Sequence, residues 1–280
     1  MKLLLNGSPG GILHHYNIKK GLNMSNKDCI QTDFFGKIYA YAAETIRVGN
    51  FDFPTLPPQQ LHPDPHALPI NYITSKMTAR MLRANWFHCH VDDRHFEKYW
   101  NNLDQYKPTI IQVGGVIGPD YSVYRNFSVE RQMYNVYRNR VLAYAITQVN
   151  PNVIPAATFG GEDTWNWRLL GLPKNSTVSI TTNGVLSDPE AMRLFVGGVD
   201  KLVRQLEPYG IAVCGTIPEW LWTKYPGVRI FPVDNFNQMR RRQMKSSPLI
   251  RSATIKWTST WVTVTIPYPF DPKNVGGFRF

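Results

Sequence analysis

Cysteine is scarce in this chain: Cys29, Cys89 and Cys214 stand far apart, in no CxxC arrangement. That argues against a disulfide framework or a zinc ribbon and points to a reducing compartment, the cytoplasm. Long apolar runs are missing too. No segment approaches the ~18 apolar residues that a membrane helix needs. The opening Met1-Lys2-Leu3-Leu4-Leu5 starts like a secretory leader but breaks at Asn6-Gly7-Ser8-Pro9, short of the roughly 7–15 apolar residues of such a leader. There is no GxSxG, no Walker loop and no GxGxxG, so the sequence signals neither a nucleophile elbow nor a P-loop nor a dinucleotide fold.

Acids are also few, 20 against 31 lysines and arginines, a formal charge of +11 over 280 residues. The excess is concentrated at the ends. Residues 236–280 carry Arg240, Arg241, Arg242, Lys245, Arg251, Lys256, Lys273 and Arg279 against the single acid Asp271. Residues 1–23 carry Lys2, Lys19 and Lys20 and no acid, which leaves 24–235 near neutral. Basic ends suit phosphate, in nucleic acid or lipid headgroups. Hydrophobic residues at 43% and aromatics at 13% are enough for a packed core.

Residues 1–23 are expected to be a flexible arm, or to precede a functional start at Met24. Residues 24–52 are expected to form a helical appendage, with Phe35, Ile38, Tyr39, Ala42 and Ile46 at helical spacing. Six prolines between Pro54 and Pro69 rule out helix or central strand and make 53–70 an extended connector. The body, 71–235, then alternates strand and helix. Strands are expected at Trp86–Val91, Thr109–Ile117, Asn152–Phe159, Thr177–Thr182, Ile211–Ile217 and Val228–Val233. Helices are expected from Arg94, after a cap at Ser128, and after the capping box Ser187-Asp188-Pro189-Glu190. Short β-branched strands joined by amphipathic helices predict an α/β fold with a mostly parallel sheet of about six βα units, open and doubly wound or an incomplete barrel. The alternation of Thr254–Ile266 predicts antiparallel C-terminal strands.

In such folds ligands bind beyond the carboxyl ends of the strands. Asp92, Asp93, Asp120, Glu162 and Glu219 all follow expected strands, and are the candidate catalytic carboxylates. Converging acids cannot all ionise unaided, so either a divalent cation relieves them or one acid keeps its proton and works as a general acid. Asp92, Asp163 and Asp188 also suit plain helix caps. His88 and His90, two apart on a strand, share a face and are candidate metal ligands. Arg240, Arg241, Arg242 and Lys245 are the candidate nucleic-acid contacts. Trp257 and Trp261, four apart in a strand pattern, would share one face near them.

Asp92-Asp93-Arg94-His95-Phe96-Glu97, Gly118-Pro119-Asp120-Tyr121-Ser122, Tyr137-Arg138-Asn139-Arg140, Val153-Ile154-Pro155 and Ser176-Thr177-Val178 follow one another in that order. This succession resembles domain-of-unknown-function family 4417, proteins of phages, plasmids and bacteria, over about residues 71–235. The resemblance implies an α/β body and a home in a mobile element; it carries no activity. It directs attention to Asp92, Asp93, Asp120, Tyr121, Arg138 and Arg140. Two positions apart on a helix, the arginines cannot share a face, so one is expected to pair with an acid and the other to be exposed.

Three functional readings follow. The first is a mobile-element protein associated with DNA or RNA phosphates through its basic C-terminal segment. The second is a metal-assisted or acid/base hydrolase with a carboxylate-lined pocket. The third is a non-catalytic assembly protein whose basic ends dock it. The sequence leaves the oligomeric state open.

Overall fold

A computed structural model of the protein describes Ile38, Tyr41 and residues 45–246, 251–257 and 260–266. The expectation for residues 1–23 lies outside these. So does most of the expected helix over 30–48, of which Ile38 and Tyr41 are helical. The chain divides into two compact units, 1–235 and 236–280.

In the first unit a small antiparallel pair, β1 (Arg47–Val48) and β2 (Phe53–Pro54), precedes seven parallel strands. These are β3 (Leu68–Pro69), β4 (Trp86–His88), β5 (Gly115–Ile117), β6 (Val153–Ile154), β7 (Thr177–Thr181), β8 (Gly210–Cys214) and β9 (Arg229–Val233). Between them run α1 (Ala79–Arg83), α2 (Glu97–Ile110), α3 (Val129–Thr147), α4 (Trp165–Arg168), α5 (Pro189–Leu206) and α6 (Glu219–Lys224).

Strand order follows chain order, β3-β4-β5-β6 in one sheet and β7-β8-β9 in the other. The parallel bridge Ala156↔Ser179 joins the two. The ends meet where the Asp234 amide donates to the Pro65 carbonyl at 2.9 Å. A doubly wound sheet would reverse its order about the first strand; this one curls on as an incomplete barrel.

Side-chain alternation confirms the curvature. Phe87, Val116, Val153, Val178, Ile180, Ile211 and Val213 belong to the large cluster shared with the helices. Ala67, Ile117, Ile154, Ala212, Cys214 and Val233 form a separate cluster, with Leu61, Trp86 and Phe231 against it. Alternate residues of one strand thus enter two different cores, as an inside and an outside require.

The proline-rich stretch is extended, as its missing amide donors demand. It crosses the N-terminal ends of the strands. Thr177 donates its amide to Gln59 O at 2.8 Å and its hydroxyl to Leu61 O at 2.7 Å. His62 hydrogen-bonds the Tyr209 hydroxyl at 2.7 Å and packs at a tilt against Phe231, ring centroids 4.9 Å apart. One end of the barrel is therefore covered by the chain itself, and the other is left for a ligand.

The strands are shorter than expected. Thr109 and Ile110 finish α2 instead of opening β5. Asn150 explains why: its amide donates to Ile110 O at 2.9 Å and Val113 O at 2.8 Å, satisfying carbonyls at the helix end. Ser128 caps α3 as expected. At α5 the cap is Asp188, which accepts from the Glu190 and Ala191 amides, rather than Ser187; proline at the first helical position fixes that start.

In the second unit α7 (Phe236–Ser246) is followed by the hairpin β10 (Arg251–Trp257) and β11 (Thr260–Ile266). Its register pairs Trp257 with Thr260 and Lys256 with Trp261. Directly paired residues share a face and sequence neighbours do not. Trp257 and Trp261 therefore stand on opposite faces, a correction to the single-strand reading.

Candidate active site

The C-terminal end of β4 continues through Cys89 to His90. Cys89 still donates its amide to Ile117 O at 2.8 Å, so His90 keeps the inward direction of His88. The two rings stack, centroids 6.2 Å apart and planes 28° apart. The shared face expected of these histidines is present, but their surroundings differ. His90 Nδ1 lies 2.7 Å from Asp120 Oδ2, and His90 Nε2 lies 3.2 Å from Ser179 Oγ. Both nitrogens of His88 are buried with no hydrogen-bond partner. Burial, and then the charge of His90, push the His88 imidazole down to about 3, so it is neutral. Both His90 nitrogens are engaged, and no group of three or more His, Cys, Asp or Glu side chains that could hold a metal occurs among the described residues.

Asp120 is placed by the loop after β5. Gly118, at φ +111, presents no Cβ to Cys89; one would lie 2.8 Å from the Cys89 Cβ. Beyond Asp120 the loop is held from α3 and from the β4 loop. The Tyr121 amide donates to Asn139 Oδ1 at 2.6 Å, and Asn135 Nδ2 donates to Ser122 O at 2.7 Å. The Ser122 amide and hydroxyl both donate to Asp93, at 3.0 and 2.9 Å. Asp93 is thus a loop clasp. Burial raises its carboxyl against the lowering effect of those bonds, and the charge of Asp120 adds to the rise.

The remaining candidates separate. Asp92 caps a short 3-10 helix and binds Arg94 through two bonds of 2.8 Å, which hold its carboxyl down to about 2. Glu162 is exposed and paired with Arg193. Glu219 is exposed in the first turn of α6. Of the five candidate carboxylates only Asp92 and Asp120 line the pocket, a cavity of 880 Å³ walled also by His90, Ser122, Tyr124, Arg125, Thr158, Phe159, Gly160, Thr181, Asn183, Asp188 and Phe195. That is a size for a small organic ligand. Arg125 reaches over the mouth to Asp188 at 2.7 Å.

Ser179 completes a Ser–His–Asp line that sequence spacing could not show, since its members lie on or just beyond three different strands. It is buried in β7, with its hydroxyl also 3.4 Å from Pro155 O. It orients the imidazole; it is not presented to a substrate. The carboxylate accepts from Nδ1–H, and the Ser179 hydroxyl is the partner of Nε2.

Of the helix arginines, Arg138 pairs with Glu97, and its guanidinium stacks 3.6 Å from the Tyr121 ring centre. Arg140 is not exposed as expected. It is 1% accessible and donates to Leu170 O, Ala156 O and Arg168 O at 2.9, 3.0 and 2.7 Å. Three carbonyls replace the carboxylate that a buried cation would otherwise require. In the second unit Arg240 and Arg241 are exposed on α7 and Arg242 is half-buried; the side chain of Lys245 lies outside the described residues.

Residues 46–232 match the model of the family described as "Domain of unknown function (DUF4417)". The chain is 30% identical over 145 residues to the "Gene 1 protein" of Mycobacterium phage L5, covering 52% of this chain and 63% of that protein. It is 24% identical over 202 residues to the "Gene 1 protein" of Mycobacterium phage D29, covering 69% of this chain and 74% of that one. The chain therefore spans less than two thirds of the L5 relative. No solved structure matches it significantly. With a family match across the parallel barrel and its pocket, and phage proteins among its relatives, this chain belongs to the DUF4417 family.

Proposed function

We propose that the protein is a hydrolase working by acid/base chemistry at the C-terminal mouth of its barrel, with Asp120 as catalytic carboxylate and His90 as its positioning partner. One observation carries this reading. Asp120 lines the pocket and gives Oδ2 to a buried imidazole, while its Oδ1 accepts no hydrogen bond among the described residues. A carboxylate with one oxygen fixed and the other open is placed to bind a water.

The step is a direct hydrolysis. The water gives a proton to Asp120 Oδ1 as its oxygen bonds to the electrophilic centre. The bond to the leaving oxygen breaks, that oxygen keeps the electron pair, and Asp120 returns the proton to it. The Nδ1–H of His90 holds the carboxylate in line and Ser179 holds the ring. General-base assistance of this kind contributes ~10²–10⁴-fold. The test is turnover of nitrophenyl acetate, nitrophenyl phosphate and bis(nitrophenyl) phosphate by the native chain and by Asp120→Asn. Hydrolysis of one of them, lost in the variant, supports the reading. No hydrolysis, or hydrolysis indifferent to Asp120, rejects it.

A second reading, association with nucleic acid, is favoured by the exposed Arg240 and Arg241 on α7. Binding to DNA or RNA that weakens steeply between low and moderate salt, and weakens again in the double Arg→Gln variant, would support it. Absence of binding at low salt would end it.

A further inference from the structure

We infer that the loop after β6, Thr158 to Gly161, is an anion subsite of this pocket that receives the phosphoryl group of a phosphorylated small molecule. The inference rests on the hydrolase reading for the role of the pocket, and on separate observations for the anion.

The first observation is a surplus of donors. The amides of Thr158, Phe159, Gly160 and Gly161 donate no hydrogen bond among the described residues. The Thr158 hydroxyl is buried and likewise without a partner. Thr158, Phe159 and Gly160 all line the cavity. A buried hydroxyl is rarely left without a partner, and a run of unpaired loop amides beside it is a recurrent cradle for phosphate.

The second observation is positive charge behind the loop. Arg168 is 1% accessible, its Nη1 has no hydrogen-bond partner, and it forms no ion pair among the described residues. Its guanidinium lies directly against Gly160: a Cβ there would fall 2.1 Å from Nη2 and 3.0 Å from Nη1. The glycine is needed for that approach. Arg140, also buried, donates to the carbonyl of Arg168. Neither guanidinium is paired with a carboxylate among the described residues: Arg140 bonds three backbone carbonyls, and Arg168 bonds the Thr164 hydroxyl and the Gln132 amide oxygen. Burial lowers both, to about 9 and about 10, and they remain cations at neutral pH.

The acids nearby do not cancel this arrangement. Glu162 shares Arg193 with Glu190, so that exposed cluster keeps a net negative charge. Asp163 is exposed and stands on the Cβ side of Gly161, 2.5 Å from where a Cβ would be. Its charge opposes an anion and sets a limit on affinity. Asp120, in the same cavity, then faces the bound group. The aromatic walls Tyr124, Phe159 and Phe195 and the volume suit a substrate of nucleotide size.

The test is calorimetric titration of the intact chain with inorganic phosphate and with adenosine 5′-monophosphate, at constant ionic strength against a chloride blank. Native protein is expected to bind both. Thr158→Val should weaken both about tenfold, the loss of one charge-assisted hydrogen bond. Thr158→Ser should keep native affinity, and Asp163→Asn should tighten binding a few-fold. Asp120→Asn should bind phosphate while losing turnover. No binding by native protein, or equal binding by the Val and Ser variants, overturns the subsite. Turnover of an uncharged ester without phosphate binding would sink this inference and leave the hydrolase reading standing. Phosphate binding without any turnover would do the reverse.

Discussion

His88 and His90 stack 6.2 Å apart inside the barrel, and one has both nitrogens engaged while the other has neither. The difference follows from their depth. His90, beyond the last paired residue of β4, reaches the loop acids, whereas His88 is enclosed by apolar and strand residues. The pair thus divides into an imidazole tied to the pocket carboxylate and a silent one without partners.

The silent one has a consequence for stability. Burial depresses the His88 imidazole to about 3 in the folded chain, against ~6.5 when unfolded. Between those values the unfolded state binds the extra proton, so stability is full above pH ~6.5 and falls as pH drops toward 3, by up to about 1.4 kcal/mol per unit. Urea midpoints at pH 7 and pH 5 should differ in the native chain and differ less in His88→Leu. An identical pH dependence in both would refute the assignment.

Arg140 holds three carbonyls, one from Ala156 after β6 and two from Arg168 and Leu170 at the end of α4. Arg140→Met strands them and should destabilise the fold by roughly 3 kcal/mol, each buried unsatisfied group costing ~1–3 kcal/mol. Arg240→Met, on an exposed position of α7, should change little. Thermal unfolding of both variants checks the contrast, and a loss below ~1 kcal/mol in the first would contradict the buried placement.

Gly171 and Gly184 both have positive φ, +77 and +74. A Cβ at Gly171 would meet Pro54 O at 2.3 Å, while one at Gly184 would meet nothing within 4 Å. Gly184→Ala should therefore show only the left-handed backbone penalty, ~1–2 kcal/mol. Gly171→Ala should lose clearly more. Equal losses by chemical denaturation would mean that the β2 segment does not sit against Gly171.

Much of this architecture was legible in the sequence, because helix signals are local. Ser128 at the start of α3 and the periodic apolar face of α5 declare themselves within a few residues. The parallel sheet was legible too, from short apolar strands between helices. Its closure was not: whether the last strand returns to the first depends on contacts such as Asp234 to Pro65, 169 residues away in sequence. Sequence placed five acids after expected strands but could not tell a loop clasp, Asp93, from a pocket carboxylate, Asp120. That distinction rests on Ser122 and on the imidazole. Ser179 and Thr158 gave no signal, as hydroxyl residues on or after strands are ordinary. Arg140 was misjudged because a lone arginine in a helix gives no hint that backbone carbonyls will enclose it.

The coupling of Asp120 to His90 is tested most directly by a double-mutant cycle on turnover of the ester the native chain hydrolyses, with the pH profile of kcat/KM recorded for each form. Acting as one unit, Asp120→Asn should cost ~10²-fold or more, His90→Gln should lower the rate and move the profile, and the double variant should be no worse than Asp120→Asn alone. Losses that multiply, with a profile unmoved by His90→Gln, would contradict the account.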